Sequence, residues 1–430
     1  MYLSIDLGST QFKAAVFDAN LELLGKSAYT LKYHYPPNGG VELNPTDLVS
    51  GLKYIIKEVL KSATVKPTLL KAIAIDSQAQ TFAVFDEKGT AVTPFFSWLD
   101  ERASTTAARM ASVPPWNNLA RHSSFGYLLA GLQACMLKHF LKTNIIKKRK
   151  NSRFLLLPAW ITELLTEKAV VDDNLAGMSG LFSLIEGRWW NNILEDLTIA
   201  PQQLPDVIPI GTSAGTTTTR AEKFGLPAGL PVILAGNDQT AGAYGARIEE
   251  SKSVLLTLGT AHVVYAVSKS LPKPSRDIIR GVYPGNLFYR MSADSCGGNV
   301  ITWGTNLLTD GNYDNFFCLA ERSDKRKGIP SFNPEIIKGG SWTDISISQG
   351  PSEFVFSIID SLAQRSARMI DTVDPHCACK GILAAGGGSR RPLFVKLIEK
   401  YAKRKIRTIS ADPLQGAARM AVQYLVDNRK

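Results

Sequence analysis

Two stretches of this chain, about 250 residues apart, follow one plan. In "SIDLGSTQFKAAVFD" an apolar run ends at Asp6, a Gly8-Ser9-Thr10 turn follows, and a second apolar run returns from Phe12 to Phe17. In "LLTLGTAHVVYAVS" the run Val254 to Leu258 meets a Gly259-Thr260 turn and returns from Ala261 to Val267. Runs this short, closed by turn residues, form strands rather than helices. One copy would be an ordinary hairpin. Two copies with the same Leu-Gly-Ser/Thr core predict a duplicated α/β architecture with its seam near residue 246, although hairpins are common enough to recur by coincidence. The segments between them fit. Residues 46–62 carry Leu48, Leu52, Ile55, Ile56, Val59 and Leu60 at helical spacing, Leu70 to Ile75 reads as a buried strand, Phe82 to Asp86 as another, and 125–143 and 158–166 as helices.

The 430 residues, 45% hydrophobic and 20% charged, suffice for two cored domains. No run of 18 apolar residues predicts a membrane span, and Met1 to Asp6 lacks the basic-then-apolar order of a signal peptide. The five cysteines (Cys135, Cys296, Cys318, Cys377, Cys379) are odd in number, scattered and without metal-site spacing, which predicts free thiols in the cytoplasm. The net charge of +11 concentrates in 147–150, 325–327 and 403–405. No aromatic interleaving or nucleic-acid motif accompanies these runs, so a solvated basic surface is expected, one that still attracts phosphorylated metabolites.

A Gly-Thr turn between strands offers backbone N–H groups and a hydroxyl in one concave spot, which suits phosphate oxygens. Two such turns, one per domain, could hold a triphosphate across a cleft. Asp6, just before the first turn, is either a turn-initiating aspartate or a hard-oxygen ligand for Mg²⁺. A third glycine cluster, "AAGGGS" at 384–389, follows the strand-like Gly381-Ile382-Leu383 and would let a flat ring or a ribose approach the backbone. Neither a GxxxxGK[ST] motif nor a GxGxxG motif after a strand is present. In "LAGNDQTAGAYGA" (234–246) an apolar run meets Asp238 and then a series of small residues. Asp238 reads equally as an N-cap or as a functional carboxylate.

In this order, the segments resemble those of the FGGY carbohydrate kinases, members of the actin-like ATPase superfamily, nearly end to end. "DLGSTQFKAAVFD" and "LTLGTAHVVYAVS" look like that family's two phosphate motifs, and "LAAGGGSRRPLFVKLI" looks like its adenosine motif. "SQAQTFAVFD", "FSWLDERA" and "DDNLAGMSGLFSLIEGRWW" look like its sugar-side segments, and "GNDQTAGAYGA" like the segment with its catalytic aspartate. The resemblance implies two duplicated actin-like (ribonuclease H-like) domains, 1–246 and 247–430, with a cleft between them. It implies ATP and Mg²⁺ as cofactors and transfer of the γ-phosphate to a sugar hydroxyl. By resemblance Asp238 is the general base and Asp6 the metal-side carboxylate. Thr10, Gly259, Thr260, Gly298, Gly387 and Gly388 look like nucleotide contacts. Gln80, Trp98, Asp100 and Gln239 look like sugar contacts, with Trp98 equally readable as core.

Three departures stand out. Gln11 occupies a place where many members have Ser or Thr. "SQAQT" puts Gln80 where xylulokinases carry a histidine, which speaks against xylulose, and Ala79-Gln80 replaces the Arg-Glu pair of glycerol kinases, which speaks against glycerol. Between Trp303 and Ile359 the family's long insert is compressed. The expected function is therefore an ATP-dependent kinase of a ketose, a pentulose such as xylulose. The alternatives are a kinase of another polyol or sugar acid (gluconate, erythritol, glycerol) and, from a different class, a non-catalytic actin-like nucleotide-binding protein. The expected partner is a small-molecule sugar, with no nucleic acid and no membrane, and a homodimer is allowed.

Overall fold

The computed structural model describes residues 1–147, 151–323, 328–335 and 339–428. Residues 148–150 and 325–327, which carry two of the basic runs, lie outside the described residues. The chain divides into two compact units: Met1–Gly245 with Ser268–Tyr289 and Asp412–Lys430, and Ala246–Val267 with Arg290–Ala411.

The first unit is built on a six-stranded sheet. Tyr2–Leu7 lies at its centre, antiparallel to Gln11–Phe17 on one side and parallel to Ala72–Ser77 on the other. Leu23–Thr30 extends the hairpin side, and Pro231–Asn237 then Ser213–Thr216 extend the other. Because side chains alternate along a strand, the sheet has two apolar faces. Leu3, Ile5 and Leu7, with Ile73 and Ile75, pack against Leu48, Leu52, Ile55, Ile56 and Val59 of the helix Pro45–Ser62. That helix starts where Asn44 accepts a hydrogen bond from the Thr46 N–H and Pro45 occupies the first turn. On the opposite face, Tyr2, Ala15, Phe17, Ala72 and Ala74 meet the C-terminal helix Pro413–Asp427 through Leu414, Ala417, Ala418 and Ala421.

The second unit repeats this order. Ser253–Leu258 is antiparallel to His262–Ser268 and parallel to Gly381–Ala385, which in turn is parallel to Ile406–Thr408. Leu287–Asp294, which belongs to this unit from Arg290 onward, lies beside His262–Ser268. The strand sequence hairpin, centre, parallel neighbour, parallel neighbour is therefore the same in both sheets, and the duplication read from "LGST" and "LGTA" is present in the topology. The helices Gly298–Thr309, Tyr313–Ser323, Pro351–Val373 and Pro392–Ala402 complete this unit.

Two expected elements differ. The helix expected over 125–143 is confined to Gln133–Lys142, because Gly126 and Gly131 each lie against other backbone in an irregular segment. The strand Phe82–Phe85 takes its main partner from far along the chain, Arg153–Leu156, a pairing no local pattern announces. No helix among the described residues is long and apolar enough to cross a membrane, and all five cysteines are free.

Candidate active site

The first unit gathers carboxylates at one end of its sheet. Asp6 and Asp76 are register partners on adjacent parallel strands, and Lys13 is the register partner of Asp6 on the other side. Alternation puts all three on the face that carries Tyr2, Ala15, Ala72 and Ala74, at the carboxyl ends of the parallel strands. Asp6 is 3% exposed and Asp76 fully buried. Lys13 Nζ lies 2.9 Å from Asp6 Oδ2, and Asp6 Oδ1 and both oxygens of Asp76 meet no partner outside this pair of facing carboxyls. Burial raises the Asp6 carboxyl above the ordinary carboxylate range, with Lys13 opposing it. Burial, together with the charges of Asp6 and Asp238, pushes Asp76 well above that range. Burial pulls the Lys13 ammonium down, but the facing carboxylates of Asp6, Asp76 and Asp238 outweigh it and raise the group.

Asp238 joins this cluster from the next strand. Pro231–Asn237 runs parallel to Ala72–Ser77, and the helix Asp238–Gly245 begins directly after it. The cap question has a structural answer. Asn237 Oδ1 accepts from the Gln239 N–H at 3.1 Å, two residues on, which is the N-cap geometry. Asp238 Oδ1 also receives the Gln239 N–H, at 2.9 Å, and Oδ2 receives Gln239 Nε2 at 3.2 Å. Burial first, then the Asp6 charge, lifts the Asp238 carboxyl to about 6, against the Gln239 hydrogen bonds. The junction itself is tied down by Asn174, fully buried, which receives the Asn237 N–H at 3.0 Å and donates to Thr240 Oγ1 at 3.1 Å and to the Val282 carbonyl at 2.7 Å. The small residues after Asp238 serve packing against the C-terminal helix. A Cβ on Gly416 would stand 1.8 Å from the Ala241 carbonyl oxygen, so the two helices touch backbone to backbone.

The other residues expected in this unit fall into two groups. Thr10 is exposed in the first turn, near Gly8, whose carbonyl accepts from Gln78 Nε2 at 3.1 Å. Gln11, the departure in that turn, points its amide at Thr30 Oγ1 on the next strand. Gln80 is buried with a left-handed backbone (φ 71°), and its Nε2 donates to the Met178 carbonyl at 3.2 Å. That bond fixes the amide and leaves Oε1 as its acceptor. Trp98 is 41% exposed and is not part of the core. Asp100 is fully buried and fully engaged: it accepts from the Val41 N–H, from the Arg102 N–H and from the Arg102 guanidinium at 2.7 and 3.0 Å. Its present partners are all structural.

In the second unit Gly259, Thr260, Gly298, Gly387 and Gly388 come together around one cavity of about 640 Å³. The turn Gly259-Thr260 docks on the start of the helix Gly298–Thr309, with Gly298 N–H donating to the Gly259 carbonyl at 2.9 Å and Asn299 N–H to the Thr260 carbonyl at 3.2 Å. A Cβ on Gly298 would lie 2.7 Å from the Gly259 oxygen, so the close approach requires glycine. His262 and Arg391, which lie within the second phosphate motif and the adenosine motif, join the wall, together with Tyr313 and Phe317, which no motif includes. The Arg391 guanidinium sits 4.7 Å from the centre of the Phe317 ring and pairs with Asp314 at 3.0 Å. Burial lowers His262 to about 4, so it is neutral. Ser366 Oγ donates to the Leu362 carbonyl and must accept from His262 Nδ1, at 3.0 Å, which leaves His262 Nε2 as the acceptor. An aromatic and aliphatic wall beside an exposed Gly-Thr turn suits a nucleotide, with the base on the wall and phosphates at the turn.

The metal fit can be judged on the side chains. Asp6 offers a buried oxygen beside the phosphate turn, which suits a hard cation. Among the described residues no group of three or more His, Cys, Asp or Glu is arranged to hold a metal.

Comparison with known proteins relates the chain to carbohydrate kinases. Residues 1–245 match the N-terminal domain of the FGGY family of carbohydrate kinases. Over 97% of this chain and 86% of its own length, "Glycerol kinase 5" of Bos taurus is 25% identical. "Glycerol kinase" of Thermococcus kodakarensis is 22% identical over 100% of this chain and 90% of its own. Among solved structures, ligand-bound xylulose kinase from Lactobacillus acidophilus superposes with a TM-score of 0.90 at 18% identity, covering 100% of this chain and 91% of that one. Gluconate kinase from the same organism gives 0.89 at 18% identity, and Plasmodium falciparum glycerol kinase with ADP gives 0.88 at 16%, each covering 100% of this chain and 90% of the other.

Proposed function

The chain belongs to the FGGY family of carbohydrate kinases, and we propose that it transfers the γ-phosphate of ATP to a hydroxyl of a ketose, a pentulose such as xylulose. The observation that carries the proposal is the placement of Asp238: a carboxylate at a strand-to-helix junction whose capping role is taken by Asn237, which leaves it available as a base. In this reading the sugar hydroxyl gives its proton to Asp238 as its oxygen bonds to the γ-phosphorus, and the bond to the bridging oxygen breaks to release ADP. Such a transfer needs positioning and charge neutralisation more than a strong base, and a carboxyl near 6 suffices. Thr10 is assigned to the γ-phosphate, Gly259, Thr260 and Gly298 to the phosphates, and Gly387 and Gly388 to the adenosine. A divalent cation, when bound, supplies charge neutralisation at the phosphates, and Asp6 is the side chain that would hold it.

Gln80 and Gln239 support a neutral polyhydroxylated acceptor. Each donates one amide N–H to the protein, Gln80 to Met178 and Gln239 to Asp238, which orients the carboxamide and offers its carbonyl oxygen and second N–H to hydroxyls. A sugar acid would call instead for a cation at this place. Trp98, exposed, is assigned to the sugar ring, and Asp100 to holding the loop beneath it through Arg102. The relatives named glycerol kinase put glycerol in competition, and the Ala79-Gln80 pair speaks against it. A panel of pentuloses, polyols and sugar acids, assayed by ADP release, tests the assignment. Xylulose or another pentulose should give the highest kcat/KM, and a clear preference for glycerol or gluconate would overturn it. A cytoplasmic location is proposed with it, in keeping with five unpaired thiols.

The pH profile gives an independent check. Asp238 acts as a base only when ionised, and its carboxyl sits at about 6. The value of kcat/KM should therefore rise with pH, about tenfold per unit, up to about pH 6 and then level. A profile flat down to pH 4.5 would remove Asp238 from the role.

A further inference from the structure

Gly8, Ser9 and Thr10, the turn that joins Tyr2–Leu7 to Gln11–Phe17, have every carbonyl oxygen taken. Gly8 accepts from Gln78 Nε2 at 3.1 Å, Ser9 from the Tyr33 hydroxyl at 2.7 Å and Thr10 from the Leu31 N–H at 3.0 Å. The N–H groups of Ser9 and Thr10 donate to no acceptor among the described residues. A peptide unit is planar and trans, so its C=O and the N–H that follows point in opposite directions. Fastening the Gly8 carbonyl therefore aims the Ser9 N–H, and fastening the Ser9 carbonyl aims the Thr10 N–H. The turn keeps its acceptors tied to the protein and two donors free, which is the polarity an anion requires. Of the two side chains that do the fastening, Gln78 directly follows the neighbouring strand Ala72–Ser77, and its Oε1 is steadied by Thr81 Oγ1 at 2.8 Å. Tyr33 comes from elsewhere. It lies on the short strand Tyr33–His34, at the edge of a separate five-stranded sheet of the first unit, where it is the register partner of Leu43. Burial raises its hydroxyl above the ordinary tyrosine range, so it remains a donor at neutral pH.

We propose that Tyr33 is a positioning residue: through the Ser9 carbonyl it holds the Ser9–Thr10 peptide so that the Thr10 N–H is presented to the phosphoryl group in transfer. Tyr33 touches no substrate and acts only through that peptide. The proposal rests on the kinase reading and on the assignment of Thr10 to the γ-phosphate. Without the hydroxyl, the Ser9 carbonyl loses the partner that holds it and the peptide is free to rotate. A carbonyl oxygen turned toward a phosphate repels it where the N–H attracted it. ADP carries no γ-phosphate and the acceptor sugar does not meet this peptide, so neither should register the change. Tyr33 lies 24 residues beyond Ser9 and outside the turn's motif.

The test is Tyr33→Phe in the full-length protein, with Tyr35→Phe, two residues on and 70% exposed, as the control. Tyr33→Phe keeps the ring and removes one oxygen. It should lower kcat about tenfold, the worth of one well-placed hydrogen bond. The KM for sugar and the Kd for ADP should stay within about twofold of the wild type, because the interaction lost is made only to the transferred group. In calorimetric titrations without sugar, the variant's affinity for a non-hydrolysable ATP analogue should fall about tenfold relative to its affinity for ADP. A tyrosine that only braces the fold would lower the melting temperature and leave kcat and the analogue-to-ADP ratio as in the wild type. That result, an equal loss of analogue and ADP affinity, or an equal effect of Tyr35→Phe would overturn the proposal. The nucleotide ratio is read without sugar, so it judges Tyr33 separately from the kinase reading, which stands or falls on sugar phosphorylation by the wild type.

Discussion

Asp238→Ala should lower kcat by about 10²–10⁴-fold, the usual contribution of a positioned base, while nucleotide affinity stays close to that of the wild type. The cavity assigned to the nucleotide is lined wholly by residues of the second unit, among them Gly259, Thr260, Gly298, Gly387 and Gly388, and Asp238 is not among them. Its loss should also cost little stability. Asn237 Oδ1 already accepts the Gln239 N–H, so the helix keeps its cap, and the carboxyl removed is one that burial holds above its ordinary range. A helix cap would behave in the opposite way: its removal would cost about 1 kcal/mol and leave turnover nearly unchanged. Measuring kcat, nucleotide Kd and Tm on the same variant separates the two roles. A variant that melts lower and turns over normally would make Asp238 a cap.

Gly416→Ala should be among the most damaging single-methyl changes in the first unit. The added Cβ would lie 1.8 Å from the Ala241 carbonyl oxygen and 3.0 Å from the Gly245 nitrogen, and both neighbours are backbone that cannot rotate away. The helices Pro413–Asp427 and Asp238–Gly245 would have to separate. Overpacking of this kind costs about 1–3 kcal/mol, with backbone contacts at the upper end, and lowers Tm by several degrees. The same movement displaces the helix that begins at Asp238, and a shift of about 1 Å at a reacting group can cost about 10²-fold in rate. Thermal melting and kcat should therefore fall together, though Gly416 touches no ligand in this account. Wild-type Tm and kcat in this variant would show that the helix contact is not tight.

The parts of this architecture legible in the sequence were those written in local order. The repeated Leu-Gly-Ser/Thr turn gave away the two equivalent sheets, and the helix Pro45–Ser62 and the strand Ala72–Ser77 followed from spacing. Asp238 was singled out because a polar residue follows an apolar strand. Asp76 carried the same signal, since "AIDS" ends its strand as "SIDL" ends the first, but only the parallel pairing makes Asp6 and Asp76 neighbours. The C-terminal helix packs on the first unit beside Asp238, about 175 residues away in sequence, and no local pattern encodes a contact of that range. Asp100 illustrates the reverse limit. By resemblance it looks like a sugar contact, and Arg102, two residues on, is the partner that the structure adds, a pairing that the motif alone does not name. The second unit's cavity is legible at its glycines, whereas Tyr313 and Phe317 come from the helix Tyr313–Ser323, whose sequence bears no turn signature.

The central claim, that the chain transfers a phosphoryl group from ATP to a sugar, is tested most directly by product analysis. Purified protein is incubated with ATP and Mg²⁺, with and without a pentulose, and ADP and sugar phosphate are quantified by ³¹P NMR. The account predicts slow ATP loss without sugar and, with sugar, one phosphorylated sugar formed for every ADP released. ATP turnover that is indifferent to every sugar offered, with no phosphorylated sugar formed, would contradict it.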